Sequence, residues 1–202
     1  MSERLSDTAL VLLETQNEFM HPGGKFHDGI LAVARKNGCF SNLAELAKRA
    51  RERILLVYVP ISFAPGHPEL AGRSGILGHV KTAGAFVEGG FGARFFQEIE
   101  PEACDFVLPN RRGISPFHET DLDKALRERG VRRLAICGFL TNVCVESAVR
   151  SAYDFGYEVI VVRDATACLS LEEQTFCETR ILPNFARVVS TSEFLAEIQQ
   201  RK

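Results

Sequence analysis

The 202-residue chain lacks a charge excess of either sign: 24 Lys and Arg stand against 26 Asp and Glu, a net charge of −2. That balance leaves no electrostatic footprint for nucleic acid or for an anionic membrane surface. No apolar run approaches the roughly 20 residues needed to span a bilayer. The start, Met1-Ser-Glu-Arg-Leu-Ser-Asp7, carries two acids, and its apolar run stops at Glu14. A secretory leader has instead a basic start, a longer apolar core and a small-residue cleavage site. The expectation is a cytoplasmic protein with reduced thiols. The cysteines at 39, 104, 137, 144, 168 and 177 form no C-x-x-C pair, which removes support for zinc or thioredoxin-type chemistry. No G-x-G-x-x-G follows the first apolar run, and Glu14 stands where backbone would have to meet a phosphate, so a nucleotide-binding domain fares poorly. Repeats, low-complexity tracts and linkers are missing as well. One domain over residues 1–202 is expected, long enough to bury roughly 70% of its unfolded surface without staples.

What is present is an ordinary globular balance, 46% hydrophobic and 25% charged. Apolar runs occupy Ala9 to Leu13, Ile54 to Val59, Phe106 to Leu108, Arg133 to Cys137, Glu158 to Val162 and Arg187 to Ser190. Most are continuous rather than alternating, as in strands covered on both faces. Helical patterns lie between them. Ser41-Asn-Leu-Ala-Glu45 opens one with an imperfect capping box, and Leu43, Leu46 and Ala47 supply its stripe. Others begin at Thr120 and stop at Gly130, run from Thr141 to Phe155, and start at Ser170 and Ser192. Alternating strands and helices predict an α/β fold of three layers, α/β/α, with a Rossmann-like parallel sheet of about six strands and helices on both faces. The Pro- and Gly-rich stretch from Pro60 to Gly92 reads as an excursion near the site or an oligomer contact.

Ligands of such sheets bind beyond the carboxyl ends of the strands. The first run ends at Glu14, which alone reads more readily as a solvated acid. The third leads into Asn110-Arg111-Arg112-Gly113, a solvated loop or a holder of an anion. The fourth ends at Gly138 and leads into a helix whose first turn holds Cys144, where free N–H groups favour a thiolate and can hold an oxyanion. Cys144 reads equally as a buried core thiol, like the other five cysteines. An acid, a cation and a thiol converging on one sheet edge make an acyl-transfer site more plausible than three accidents.

Gly138-Phe-Leu-Thr-Asn-Val-Cys-Val145 follows the pattern G-x-x-T-x-x-C-V. Gln16-Asn-x-Phe19, Ser115-x-Phe117, Thr120-x-Leu122, Gly156-Tyr157 and Asp164-Ala165 accompany it in order. From about Thr8 to Ser190 the chain resembles the isochorismatase-like cysteine hydrolase family, which includes nicotinamidases, N-carbamoylsarcosine amidohydrolases, and biuret and ureidoacrylate hydrolases. The resemblance implies a parallel sheet between helical layers and an Asp-Lys-Cys triad. Its positions fall here on Glu14, Arg111 (with Arg112 as the alternative register) and Cys144. It also implies a cis peptide between Phe139 and Leu140, and an oxyanion hole from the amides of Leu140 and Cys144. Glu for Asp keeps a base on a longer arm. Arg for Lys keeps the charge but cannot relay a proton, while its fork can engage a carboxylate at two points.

The metal-binding Asp-x-His of nicotinamidases has no counterpart in Val59-Pro-Ile-Ser-Phe63. His67 and His79 lack partners in a ligand pattern and read as exposed, and His21, His27 and His118 as loop residues. No metal and no cofactor are expected. The implied activity is hydrolysis of a small-molecule amide, carbamoyl or ureido compound through a thioester on Cys144, with Phe19, Phe63 and Phe117 as pocket walls. The resemblance also favours a homodimer or homotetramer. Two alternatives keep the fold: a binding or assembly role with an altered site, and ether hydrolysis of the isochorismatase type.

Overall fold

Strand β1 (Thr8–Leu13) is buried along its whole length, because each of its faces meets a different core. Leu10 and Leu12 enter one apolar cluster; Ala9, Val11 and Leu13 enter the other. The continuous apolar run of the sequence is therefore two period-2 faces superposed. The computed structural model describes residues 5–201. After β1 come helices α1 (Asn17–Met20), α2 (His27–Asn37) and α3 (Cys39–Ala50), then β2 (Leu55–Val59) and α4 (Gly75–Ala83). The chain continues through β3 (Phe106–Val107), α5 (Leu122–Glu128), β4 (Arg133–Phe139) and α6 (Glu146–Asp154). It closes with β5 (Glu158–Ala167), α7 (Leu171–Phe176), β6 (Arg187–Val189) and α8 (Thr191–Gln200).

The strands form one six-stranded sheet in the order β3-β2-β1-β4-β5-β6, and every pairing is parallel. One cluster packs Ile30 and Val33 of α2, Leu43 and Leu46 of α3, and Phe194 and Ile198 of α8 on the sheet. The opposite cluster packs Leu122 and Leu126 of α5 with Ala148, Val149 and Ala152 of α6. The expected three-layer α/β/α arrangement is thus present. The order reverses between β1 and β4, so a crevice opens beyond their carboxyl ends. Among the described residues no helix is long and apolar enough to cross a membrane.

Several boundaries differ from expectation. The helix placed at Ser41 starts earlier: α3 follows directly on left-handed Gly38, and Ser41 Oγ donates back to the Gly38 carbonyl at 2.8 Å. The last helix is capped by Ser190, not Ser192, through a complete capping box with Glu193. Ser170 does cap α7, accepting from the Glu173 amide at 3.2 Å. Strand β5 outruns its apolar stretch, pairing Thr166 and Ala167 with Gly138 and Phe139 past a register shift. The excursion from Pro60 to Gly92 contains α4, whose Leu77 and Val80 are buried. All six cysteines are free, and Cys104 is exposed, so four rather than five serve as packing beside Cys144.

Candidate active site

Glu14 follows β1 in the left-handed region, at φ 54°, with its amide donating to the Val59 carbonyl at 3.0 Å. A non-glycine residue held there stores backbone strain, which the surrounding structure must over-determine. Gln16 does part of this. Its Nε2 donates to the carbonyls of Ile61 at 2.9 Å and Ala93 at 2.7 Å, and its Oε1 accepts from the Ile61 amide at 2.9 Å. One buried amide so ties the end of β1 to the segments following β2. Glu18, also buried, accepts from the amides of Phe86 at 2.9 Å and Lys25 at 2.8 Å.

Beside β1, strand β4 ends at a turn that needs glycine. Gly138 has φ 107°, and a Cβ there would lie 2.0 Å from the Leu13 carbonyl oxygen. The Phe139–Leu140 peptide is cis, as the resemblance implied. The Leu140 carbonyl then accepts from Val143 and Val145, both at 3.1 Å, opening a π-helical turn over Thr141–Val145 that carries Cys144. Thr141 Oγ1 fastens this turn to Gln174 Oε1 of α7 at 2.9 Å.

The cation arrives from the loop after β3. Arg111 is buried, and its Nη2 lies 2.8 Å from Glu14 Oε1. The approach is an ion pair without an aligned N–H, since Glu14 Oε1 accepts no hydrogen bond in line. The guanidinium is positioned instead by the Ile114 carbonyl, 2.6 Å from Nη2, and the Val59 carbonyl, 3.5 Å from Nη1. Arg112 turns outward to Glu88 and, at 3.3 Å, to Glu69. Of the two arginines, Arg111 is the one paired with Glu14.

Cys144 interacts with both partners. Burial pushes its thiol well above the ordinary range, the Glu14 charge pushes it further, and Arg111 pulls it back only in part. For Arg111, burial opposes the charge, but Glu14 and then Cys144 outweigh it and hold the guanidinium's pKa above its usual value. Burial and the Glu14 charge thus favour the neutral thiol, against the thiolate that a helix start alone would favour.

These groups meet beside a cavity of about 340 Å³ whose lining includes Glu14, Cys144, Leu140, Phe19, Phe26 and Phe86. Phe19 stacks on Phe139 with ring centroids 5.1 Å apart. Helix α4 contributes Ile76, Leu77, His79 and Val80 to the same lining. The other two expected walls are elsewhere. Phe63 is fully buried against His67, and Phe117 lines a neighbouring cavity and packs on Phe155. His67 is buried, not exposed, with Nε2 2.7 Å from the Ala85 carbonyl. His27 opens α2 and is buried, its Nδ1 2.9 Å from the Phe19 carbonyl. Sequence reasoning missed Phe26, Phe86 and the α4 residues. The apolar spacing Ile76, Leu77, Val80 was the available signal, obscured by the surrounding glycines.

A family model described as the isochorismatase domain matches residues 8–193. The ureidoacrylate amidohydrolase RutB of Variovorax paradoxus is 32% identical over 174 residues, covering 80% of this chain and 69% of that protein. The RutB of Rhizobium rhizogenes is 26% identical over 96% of this chain and 85% of its own length. Among solved structures, N-carbamoylsarcosine amidase from Thermoplasma acidophilum superposes with a TM-score of 0.69 at 28% identity, covering 92% of this chain and 96% of that one. A cysteine hydrolase from Pseudomonas syringae shares the fold with a TM-score of 0.77 at 24% identity, over 98% and 99% of the two chains. With its parallel sheet, its switch-point crevice and a domain match spanning nearly its whole length, the chain belongs to the isochorismatase family.

Proposed function

We propose that the protein hydrolyses the C–N bond of a small amide, carbamoyl or ureido compound, with Cys144 as nucleophile and Glu14 as general base. The observation that carries this reading is the placement of Glu14 and Cys144 on the lining of one cavity, with Arg111 paired to Glu14. A carboxylate, a guanidinium and a thiol sum to zero charge. Moving the thiol proton to Glu14 gives a carboxylic acid, a guanidinium and a thiolate, again zero. A thiol that resists losing its proton to solvent can still pass it to its neighbour, because no net charge is created in a medium of low dielectric.

The thiolate attacks the substrate carbonyl as Glu14 takes the proton. The amides of Leu140 and Cys144 receive the oxyanion. Glu14 returns the proton to the departing nitrogen, which leaves as ammonia or an amine, and an acyl thioester remains on Cys144. Glu14 then takes a proton from water, whose oxygen attacks the thioester; the sulfur leaves and regains its proton from Glu14. Arg111 stays protonated throughout and offsets whichever neighbour carries the negative charge. The amidohydrolase names of the relatives support the same bond class. The test is ammonia release from a carboxamide and ureide panel by wild type and Cys144→Ala. Loss of at least about 10³-fold in kcat is expected; full turnover by the variant would reject the reading.

A further inference from the structure

The cavity beside Cys144 is walled almost wholly by hydrocarbon. Eleven of its fourteen lining residues have carbon-only side chains and none is Lys or Arg; the other three are Glu14, His79 and Cys144. The Arg111 guanidinium is not among them, being buried and directed at Glu14 and the Ile114 and Val59 carbonyls. Hydrocarbon continues to the solvent side, where Ile76 is 36% and Leu169 50% exposed. Exposed apolar side chains continuous with an apolar cavity mark a route for an apolar molecule.

We propose that the substrate is an uncharged carboxamide with an alkyl or aryl body, and that amides bearing a carboxylate are rejected. This rests on the hydrolase reading above. A substrate carboxylate would leave water for a wall with no fixed cation and would face the Glu14 charge, a desolvation cost with nothing to offset it. His79 is solvent-exposed and cannot replace a buried cation. A volume of about 340 Å³, at about 30 Å³ per water-sized unit, holds about eleven heavy atoms. Phenylacetamide and hexanamide fall within that limit. In the reaction the C–N bond of R–CO–NH₂ breaks, ammonia leaves with the thiol proton, and water converts the thioester to R–COOH with the thiol restored; the acid then gives its proton to the released ammonia, leaving R–COO⁻ and NH₄⁺. The same wall that rejects a carboxylate then expels the product, whose new charge lies beside Glu14.

The test compares hexanamide with adipamate, the same chain ending in a carboxylate, together with phenylacetamide and ureidoacrylate. The expected kcat/KM for the two neutral amides exceeds that for the two acids by at least about 100-fold. Ile76→Arg, a change at an exposed position, is expected to narrow that ratio at least tenfold by supplying the missing cation. Equal or faster hydrolysis of adipamate or ureidoacrylate by wild type would overturn the assignment while leaving the hydrolase reading intact. Calorimetry with Cys144→Ala reads the same preference without turnover, and hexanamide is expected to bind at least tenfold more tightly than adipamate. If wild type hydrolyses no amide, the hydrolase reading falls and calorimetry alone decides: adipamate binding as well or better, or neither binding, overturns the proposal.

Discussion

Arg111 Nη2 stands 2.8 Å from Glu14 Oε1, in a pair whose side chains are 0% and 5% exposed. The Glu14 carboxylate has exchanged water for a single guanidinium, so removing the cation leaves a buried charge without compensation. Arg111→Met is expected to lower the unfolding free energy by about 3–5 kcal/mol in urea titrations. Arg111→Lys keeps the charge and gives up the fork that reaches the Ile114 and Val59 carbonyls. It is expected to remain folded, lose less stability than Arg111→Met, and retain measurable ammonia release.

The state of the thiol gives a signed pH dependence. Burial first, and the Glu14 charge second, raise the Cys144 pKa. Alkylation of resting Cys144 by iodoacetamide is expected to be slow at pH 7 and to accelerate only above about pH 9, past the free-thiol range. Exposed Cys104 is expected to react first. Glu14→Gln removes one raising charge and leaves Arg111 beside the sulfur. The labelling midpoint is expected to move down in pH while hydrolysis is lost. A thiolate that forms more easily yet does not turn over separates the base from a mere charge.

The same direction holds for Cys39 and Cys137, whose thiols are also raised chiefly by burial. A folded-state pKa above the unfolded value gives stability that is fully present below the unfolded pKa, about 8.5, and lost as pH climbs toward the folded one. Urea midpoints are expected to hold steady through pH 8 and decline above about pH 9.

Gly138 has no substitute that keeps the turn. Its φ of 107° and the 2.0 Å approach of a Cβ to the Leu13 carbonyl oxygen oppose any side chain, and the opposing atom is backbone that cannot swing away. Gly138→Ala is expected to cost about 3 kcal/mol or more in chemical denaturation and to reduce kcat by displacing the Cys144 turn.

Gln16 lies beside the site without lining the cavity, and its three hydrogen bonds go to backbone groups of Ile61 and Ala93. Gln16→Ala leaves these groups unpaired, each at about 1–3 kcal/mol if water does not enter. Lower thermal stability and a lower kcat are expected, and addition of a neutral amide is expected to recover part of the stability.

The sheet was legible because β1, β2 and β4 are apolar on both faces, a pattern that survives reading from sequence alone. Glu14 was legible as the residue directly after β1, whereas Cys144, in the turn beyond β4, was singled out by the G-x-x-T-x-x-C-V segment. The caps slipped by three residues at α3 and two at α8 because Ser41 competes with a left-handed Gly38, and Ser192 with Ser190, for the same signal. Phe63 and Phe117 were misplaced because an aromatic near a strand end fits core and cavity equally well. Asn110 precedes the two adjacent arginines in a left-handed conformation at φ 57°, and nothing in their spacing distinguishes which of them faces Glu14. Helix α4 supplies four cavity residues from a stretch whose glycines read as loop.

The most direct test of covalent catalysis by Cys144 is intact-mass spectrometry of the protein quenched in acid during turnover of hexanamide or a reactive anilide of the same acid. Wild type is expected to gain the mass of one acyl group, mapping to the peptide that contains Cys144, with none on Cys144→Ala. Turnover with no acyl adduct at any quench time, and undiminished in Cys144→Ala, would contradict it.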